Sequence, residues 1–150
     1  MRDDKPTVAA FCPMLTLYKR KKERMAAFLL RLEQLFPDPA CELIHRDAFE
    51  LICATILSAQ CTDKQVNKVT PALFAAYPTA LALSRADVEK LQNIIHSTGF
   101  YKNKAKNLIG MACAVTERHN GIVPNTLEEL IKLPGVGRKT ANVVLGNAYG

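Results

Sequence analysis

The sequence lacks the features of a membrane or secreted protein. No run of apolar residues approaches the roughly 18 that a membrane-spanning helix needs. The mildly apolar stretch of residues 8–17 is interrupted by Pro13. Asp3 and Asp4 precede this stretch, at the place where a signal peptide would be basic. We therefore expect a cytoplasmic chain with no targeting segment and no membrane partner.

Cysteines at metal-binding or disulfide spacing are also missing. The chain has five cysteines, which is an odd number, and no pair has C-x-x-C spacing. They are Cys12, Cys41, Cys53, Cys61 and Cys113. Because several lie in apolar helical stretches, we expect reduced core thiols, with neither a disulfide framework nor a metal site in this chain.

Strand-like alternation of apolar and polar residues is absent, as are repeats, low-complexity tracts and domain linkers. Helical spacing runs through almost every segment instead, which predicts an all-α fold with short connections. Residues 48–57 are apolar on nearly all sides and should form a central, buried helix capped by Asp47. Residues 19–35 should form a basic amphipathic helix that ends at the turn of residues 37–39.

Other helix boundaries follow from capping and breaking residues. The expected caps are Thr62 with Gln65, Thr79, Ser84, and Thr126 with Glu129. Pro71 should bend or restart the helix that contains it. A long helix after Gly99 should end at Asn120 and Gly121.

Positive charge predominates and is clustered along the chain. The 20 lysines and arginines exceed the 14 acidic residues and give a formal net charge of +6. The basic runs are residues 19–24, the three lysines Lys102, Lys104 and Lys106, and the pair at residues 138–139. A solvated helix face is the preferred interpretation of any one run alone, whereas the net charge and its clustering favour a polyanionic partner.

The most informative segment is residues 133–142, which read LPGVGRKTAN. The pattern predicts a helix, a tight turn and a second helix, and Gly135 and Gly137 allow backbone conformations closed to other residues. Amides at the start of the second helix lack partners and lie at the positive end of the helix dipole, which suits a phosphate. Nothing in the segment reads a base, so binding should be independent of sequence. An ordinary helix–helix turn is the alternative.

Three motifs resemble those of endonuclease III-type DNA glycosylases, and they follow one another along the chain in the order found in that family. Residues 133–150 resemble that family's helix-hairpin-helix motif. Residues 57–63 (LSAQCTD) resemble its L-S-A-Q-x-T-D segment, and residues 99–105 (GFYKNKA) resemble its G-[LFY]-Y-x-x-K-A segment. The resemblance covers about residues 20–150. It implies a six-helix barrel, with the hairpin at residues 127–146, in a base-excision repair enzyme that acts on damaged double-stranded DNA.

The resemblance also implies a nucleophile. Enzymes of this family flip oxidised pyrimidines out of duplex DNA, attack the sugar C1′ with a lysine amine, and nick the strand by β-elimination through a Schiff base. The matching position is Lys139, at a helix start beside Arg138, where a second positive charge is disfavoured. From the residues alone, a cation that contacts phosphate is the preferred interpretation of Lys139, and the resemblance favours the nucleophile instead. Related adenine-mismatch glycosylases carry serine at this position, so the lysine favours the bifunctional branch.

Further DNA contacts are implied at positions that match the family's motifs. Flipping a base leaves a gap in the stack, and the positions that match the family's gap-filling side chains are Gln60 and Phe100. A core position is the alternative for Phe100. The expected hairpin contacts are Leu133, Gly135, Val136, Gly137, Arg138 and Thr140.

Two elements of the family are expected beyond Gly150. They are an aspartate in a V-D-T-H type segment and the cysteines, spaced C-x6-C-x2-C-x5-C, that bind its [4Fe-4S] cluster. The cysteines here are 29, 12, 8 and 52 residues apart and cannot substitute, so we expect no cofactor in this chain and impaired activity. The expected organisation is a loose extension at residues 1–18, a basic helix of the cluster domain at residues 19–36, and the barrel at residues 41–150.

Three functions stay open from the sequence. The first is a pyrimidine-lesion glycosylase with lyase activity, acting as a monomer. The second is a non-catalytic helix-hairpin-helix module that only binds the DNA backbone, and the third is a monofunctional mismatch glycosylase. A mere binder needs no side chains to fill the base stack, so Gln60, Phe100 and Lys139 together favour the first.

Overall fold

The structure, a computed structural model, describes residues 21–37 and 40–150. The extension predicted at residues 1–18 and part of the turn predicted at residues 37–39 lie outside this part of the chain. The chain divides into two units, one ending at Ala40 and the other spanning Cys41–Gly150.

The first unit contains helix α1, Lys21–Leu35. Lys21 and Arg24 are exposed, as expected for a solvated face. Met25 is also more than half exposed, at 52%. The helix ends two residues before Pro37, in agreement with the predicted stop, because a proline disfavours helical backbone at the residue before it.

The second unit is built from helices joined by short connections. They are α2 (Ala48–Leu57), α3 (Asp63–Ala76), α4 (Ala80–Ser84), α5 (Val88–Ile95), a 3-10 turn (His96–Thr98), α6 (Tyr101–His119), α7 (Leu127–Leu130), α8 (Arg138–Val144) and a π-helical turn (Leu145–Tyr149). The described residues contain no β-strand, and the predicted all-α class is confirmed. No helix among them is long and apolar enough to cross a membrane.

Helix α2 lies at the centre of this unit. Eight of its ten residues are buried, and Leu51 and Leu57 are fully inaccessible to solvent. Asp47 caps the helix as predicted, because its side chain accepts a hydrogen bond of 2.8 Å from the Glu50 amide. The buried Glu50 carboxylate is neutralised by an ion pair with Arg46. Since α2 packs against α3, α6 and α8, its position fixes the segments that carry the three motifs.

The capping predictions are only partly confirmed. Thr62 and Thr79 accept hydrogen bonds from the amides three residues further on, as expected. The prediction for Ser84 is wrong, since Ser84 ends α4 and Asp87, a strong capping residue, opens α5 instead. Thr126 makes no side-chain cap, and α7 is a single turn because the chain enters the hairpin at once.

The two remaining helix predictions concern Pro71 and the end of the long helix. Helix α3 runs through Pro71 without a break, so a restart is wrong, while a bend stays a prediction. The buried Val66 and Leu73 on the same helix favour continuity despite the cost of an internal proline. Helix α6 ends as predicted at Asn120 and Gly121, which have left-handed φ values of 52° and 81°.

Candidate nucleic-acid interface

The hairpin turn is fixed by a close approach between two segments. Gly135 has a φ of +76°, and a Cβ there would stand 2.7 Å from the Cβ of Asn107 in α6, so only glycine fits. The Val136 amide closes the turn by donating to the Leu133 carbonyl at 3.1 Å. Gly137 has a φ of −90°, so the prediction that both glycines adopt special conformations is wrong for Gly137. There the missing side chain leaves open surface, with nothing within 4 Å of an added Cβ.

The hairpin residues predicted to contact DNA differ in solvent exposure. Leu133 and Val136 are only 3% and 5% exposed, so their side chains anchor the turn in the core. Any contact that these two residues make with a ligand must use backbone atoms. Gly135 and Gly137 are exposed, and Thr140 is half-buried.

The start of α8 presents a primary amine at the surface. Arg138 and Lys139 are both exposed in the first turn of the helix. The preceding residue, Gly137, has no side chain that caps the first amides, and amides of this kind suit an anion. A surface depression of about 610 Å³ lies here and is lined by Arg138, Lys139, Asn142, Val143 and Asn147.

Gln60 and Phe100 share a strained backbone conformation. Their φ values are 53° and 49°, in the left-handed region that residues other than glycine seldom adopt. In the described part of the chain, Asn120 is the other non-glycine residue of this kind. Gln60 is exposed and Phe100 is 67% exposed, so the alternative that Phe100 is a core residue is wrong. Such strain costs about 1–3 kcal/mol per residue and persists only where surrounding contacts impose it.

Two polar side chains join the loops that carry these strained residues. Gln65 Nε2 donates to Ser97 Oγ at 2.8 Å, and so links the start of α3 to the 3-10 turn. Lys104 Nζ, from α6, donates to the carbonyl oxygens of Leu57 at 2.8 Å and Thr98 at 2.7 Å. The two loops are therefore tied to each other and to α6.

Lys104 is buried although its position in a basic run predicts exposure. The run at residues 102–106 predicts a solvated face, and Lys102 and Lys106 are exposed, but Lys104 is only 4% exposed. Burial lowers the pKa of Lys104, and the nearby Cys61 opposes this shift. The helical register carries the missed signal, since Lys104 lies one turn before the buried Leu108.

Helix α6 connects the paired loops with the hairpin. It begins directly after Phe100, and Lys104 contacts both loops one turn later. Asn107 lies within the next turn, against Gly135 of the hairpin. Helix α2, whose last residue Leu57 accepts a hydrogen bond from Lys104, also packs against α8, which carries Lys139. The first two turns of α6 therefore contact all three segments that resemble family motifs, and α2 packs against the hairpin helix α8.

Among residues 21–37 and 40–150, no group of three His, Cys, Asp or Glu side chains is placed to hold a metal ion. The cysteines there are scattered, and burial in α2 raises the pKa of the Cys53 thiol. The Cys113 thiol donates a hydrogen bond to the carbonyl oxygen of Ser84. These scattered cysteines do not form the ligand set of an iron–sulfur cluster within the described part of the chain.

Residues 53–145 match the family model described as HhH-GPD superfamily base excision DNA repair protein. The match covers more than half of the chain and includes Gln60, Phe100 and the hairpin with Lys139. The chain therefore belongs to the HhH-GPD superfamily of base excision DNA repair proteins.

Within this superfamily the chain is similar to endonuclease III. It is 53% identical over 130 residues to Endonuclease III of Synechocystis sp., covering 87% of this chain and 59% of that protein. Two solved structures share 46% identity over 87% of this chain, a non-covalent endonuclease III–DNA complex with a TM-score of 0.83 and a trapped endonuclease III–DNA covalent intermediate with a TM-score of 0.84. The chain covers 61% and 62% of those two chains. The resemblance to endonuclease III is confirmed, and the chain spans about 60% of the length of these relatives.

Proposed function

We propose that this chain acts as a DNA glycosylase and abasic-site lyase of the endonuclease III type, removing oxidised pyrimidines from duplex DNA. The observation that carries this proposal is the exposed Lys139 at the start of α8, within a glycine hairpin of the matched region. Similarity to an endonuclease III solved as a trapped covalent intermediate with DNA supports a covalent mechanism.

In the proposed reaction, the neutral amine of Lys139 attacks C1′ of the flipped nucleotide. The N–C1′ bond forms as the bond from C1′ to the base breaks, and the base leaves with a proton. Opening of the sugar ring gives a Schiff base between Lys139 and C1′. Loss of a C2′ proton then expels the 3′ phosphate by β-elimination, which nicks the strand, and water hydrolyses the imine to restore the lysine.

Gln60 and Phe100 are the proposed fillers of the gap that the flipped base leaves. Unstacking a base costs a few kcal/mol, and the cost falls when a side chain takes the place of the base. The exposure and the strained backbone of both residues support this role. The exposed Gly135, Gly137 and Arg138 are the proposed phosphate contacts, with no base readout.

The proposed partner is damaged double-stranded DNA, bound through its backbone. A monomeric state and a cytoplasmic location with the chromosome stay predictions. The described residues contain no group of three or more side chains placed to hold a metal cluster, and the proposed steps use only the chain's own residues.

Borohydride trapping on an abasic-site duplex tests the proposal. The parent chain should form a covalent adduct with DNA, because reduction converts the Schiff base to a stable amine, and Lys139→Ala should abolish it. Lys132→Ala is the matched control, since Lys132 is an exposed lysine on the other side of the hairpin, paired with Glu129. Retained trapping in Lys139→Ala would overturn the role of Lys139. DNA binding by the parent without trapping would favour the non-catalytic module.

A further inference from the structure

A buried ammonium group connects the ends of two helical elements. Lys104 Nζ lies 2.8 Å from the carbonyl oxygen of Leu57, the last residue of α2, and 2.7 Å from that of Thr98, the last residue of the 3-10 turn. Carbonyls at the ends of helices lack partners within the helix, so both gain one from Lys104. Its own amide also donates to the Phe100 carbonyl at 3.1 Å.

The two acceptors stand directly upstream of the strained residues. Leu57 precedes Gln60 by three residues, and Thr98 precedes Phe100 by two. A left-handed backbone at a residue other than glycine persists only when neighbouring contacts determine it. A buried lysine in place of an apolar side chain costs free energy, but it supplies two directional hydrogen bonds to the backbone that methionine or leucine lacks.

We propose that Lys104 is a positioning residue that holds the Gln60 loop and the Phe100 loop in one register, so that both side chains enter the DNA stack together. The inference rests on the proposed function, in which these two side chains fill the gap left by the flipped base. Lys104 acts through the loops and not by touching DNA, because it is only 4% exposed.

The first test compares Lys104→Met with Lys106→Met in the 150-residue chain. Methionine keeps much of the length of lysine but donates no hydrogen bond, and Lys106 is an exposed neighbour on the same helix that controls for the loss of one charge. The readout is the ratio of the dissociation constants for intact duplex and for a duplex with a tetrahydrofuran abasic-site analogue. We expect Lys104→Met to lower this preference by about tenfold, the scale of one lost stacking contact. Lys106→Met should weaken binding to both duplexes by the same factor and leave the preference for the abasic analogue unchanged.

A second arm asks whether Lys104 acts through the two loops. In a Gln60→Ala, Phe100→Ala background, Lys104→Met should change the preference no further, because the side chains that it positions are gone. A further loss of similar size in that background would overturn the proposal. A merely structural role would lower the melting temperature of Lys104→Met but leave the preference of the folded protein intact, and this result would also overturn it.

Lys104→Arg keeps the test decisive should Lys104→Met fail to fold. The guanidinium retains the charge but is larger and planar, so it cannot occupy the buried site of the ammonium without displacing the carbonyls of Leu57 and Thr98, and the preference should fall. Folded Lys104→Arg with the preference of the parent would overturn the positioning role alone. A parent chain with no preference for the abasic analogue would overturn the proposed function, and the inference with it.

Discussion

The hairpin and the paired loops both present backbone to the surface, but they do so with different residues. The hairpin has glycine at its left-handed position, Gly135, where an added Cβ would meet Asn107. The loops have Gln60 and Phe100 at left-handed positions, where glycine would cost less. Glycine therefore stands where the turn packs closely against α6. Gln60 and Phe100 keep side chains at strained positions and expose them, which fits the role proposed for those side chains.

The two regions also use lysine in opposite ways. Lys139 in the hairpin is exposed at a helix start, beside a depression in the surface. Lys104 behind the loops is buried and bonded to two carbonyls. The proposed nucleophile is thus the lysine with access to DNA, and the proposed positioning residue is the lysine without it.

The largest effect on stability is expected at Gly135. Gly135→Ala should lower the free energy of unfolding by about 1–3 kcal/mol, because it combines a left-handed backbone with an overlap at Asn107. Gly137→Ser is the control, since Gly137 has extended backbone, open space and a capping position that favours serine, and a gain of about 0.3 kcal/mol is expected. Urea unfolding measures both. Equal stabilities for the two variants would contradict the distinction between these glycines.

Relief of strain in the loops should produce a smaller effect of opposite sign. Gln60→Gly and Phe100→Gly should each raise the free energy of unfolding by about 0.5–1 kcal/mol, since glycine removes about 1–2 kcal/mol of steric cost at a positive φ but adds about 0.5–1 kcal/mol of chain entropy cost. Both should lose preference for the abasic-analogue duplex. Asn120→Gly, at the end of α6, relieves the same kind of strain and should leave the preference unchanged. Loss of stability in both loop variants, without loss of preference, would show that the two side chains are structural.

The smallest effect is expected for a phosphate contact of the hairpin. Arg138→Ala should weaken binding to intact and abasic duplexes by the same factor. It should also reduce the slope of log affinity against log salt by about 0.9, the value for one lost contact. Arg118→Ala, at the far end of α6 from the loops, is the control and should leave the slope unchanged. A slope unaltered by Arg138→Ala would remove Arg138 from the interface.

Local signals in the sequence predict much of this molecule. Helix α2 and its Asp47 cap follow from apolar spacing and one aspartate, and the hairpin follows from its two glycines. The burial of Lys104 could not be predicted in this way, because its bond to Leu57 spans 47 residues of sequence. The Gln65–Ser97 bond spans 32 residues and escapes prediction for the same reason. Long-range partners decide which polar side chains are buried, and a single sequence does not display them.

Local competition explains a second kind of error. Ser84 and Asp87 both have the chemistry of a helix cap, and the aspartate takes that position while Ser84 donates to the Leu81 carbonyl. Thr126 likewise matches a capping pattern, yet its helix is a single turn. A capping motif therefore predicts that a helix begins nearby more reliably than it predicts which residue caps it.

The most direct test of the central claim is to locate the covalent bond. The parent chain is reduced with borohydride on an abasic-site duplex, digested, and examined by mass spectrometry for the peptide that carries the sugar adduct. We predict a single modified residue, Lys139, and no adduct on the buried Lys104 or the exposed Lys132. An adduct at any other amine of the chain would contradict the assignment of Lys139 as the nucleophile.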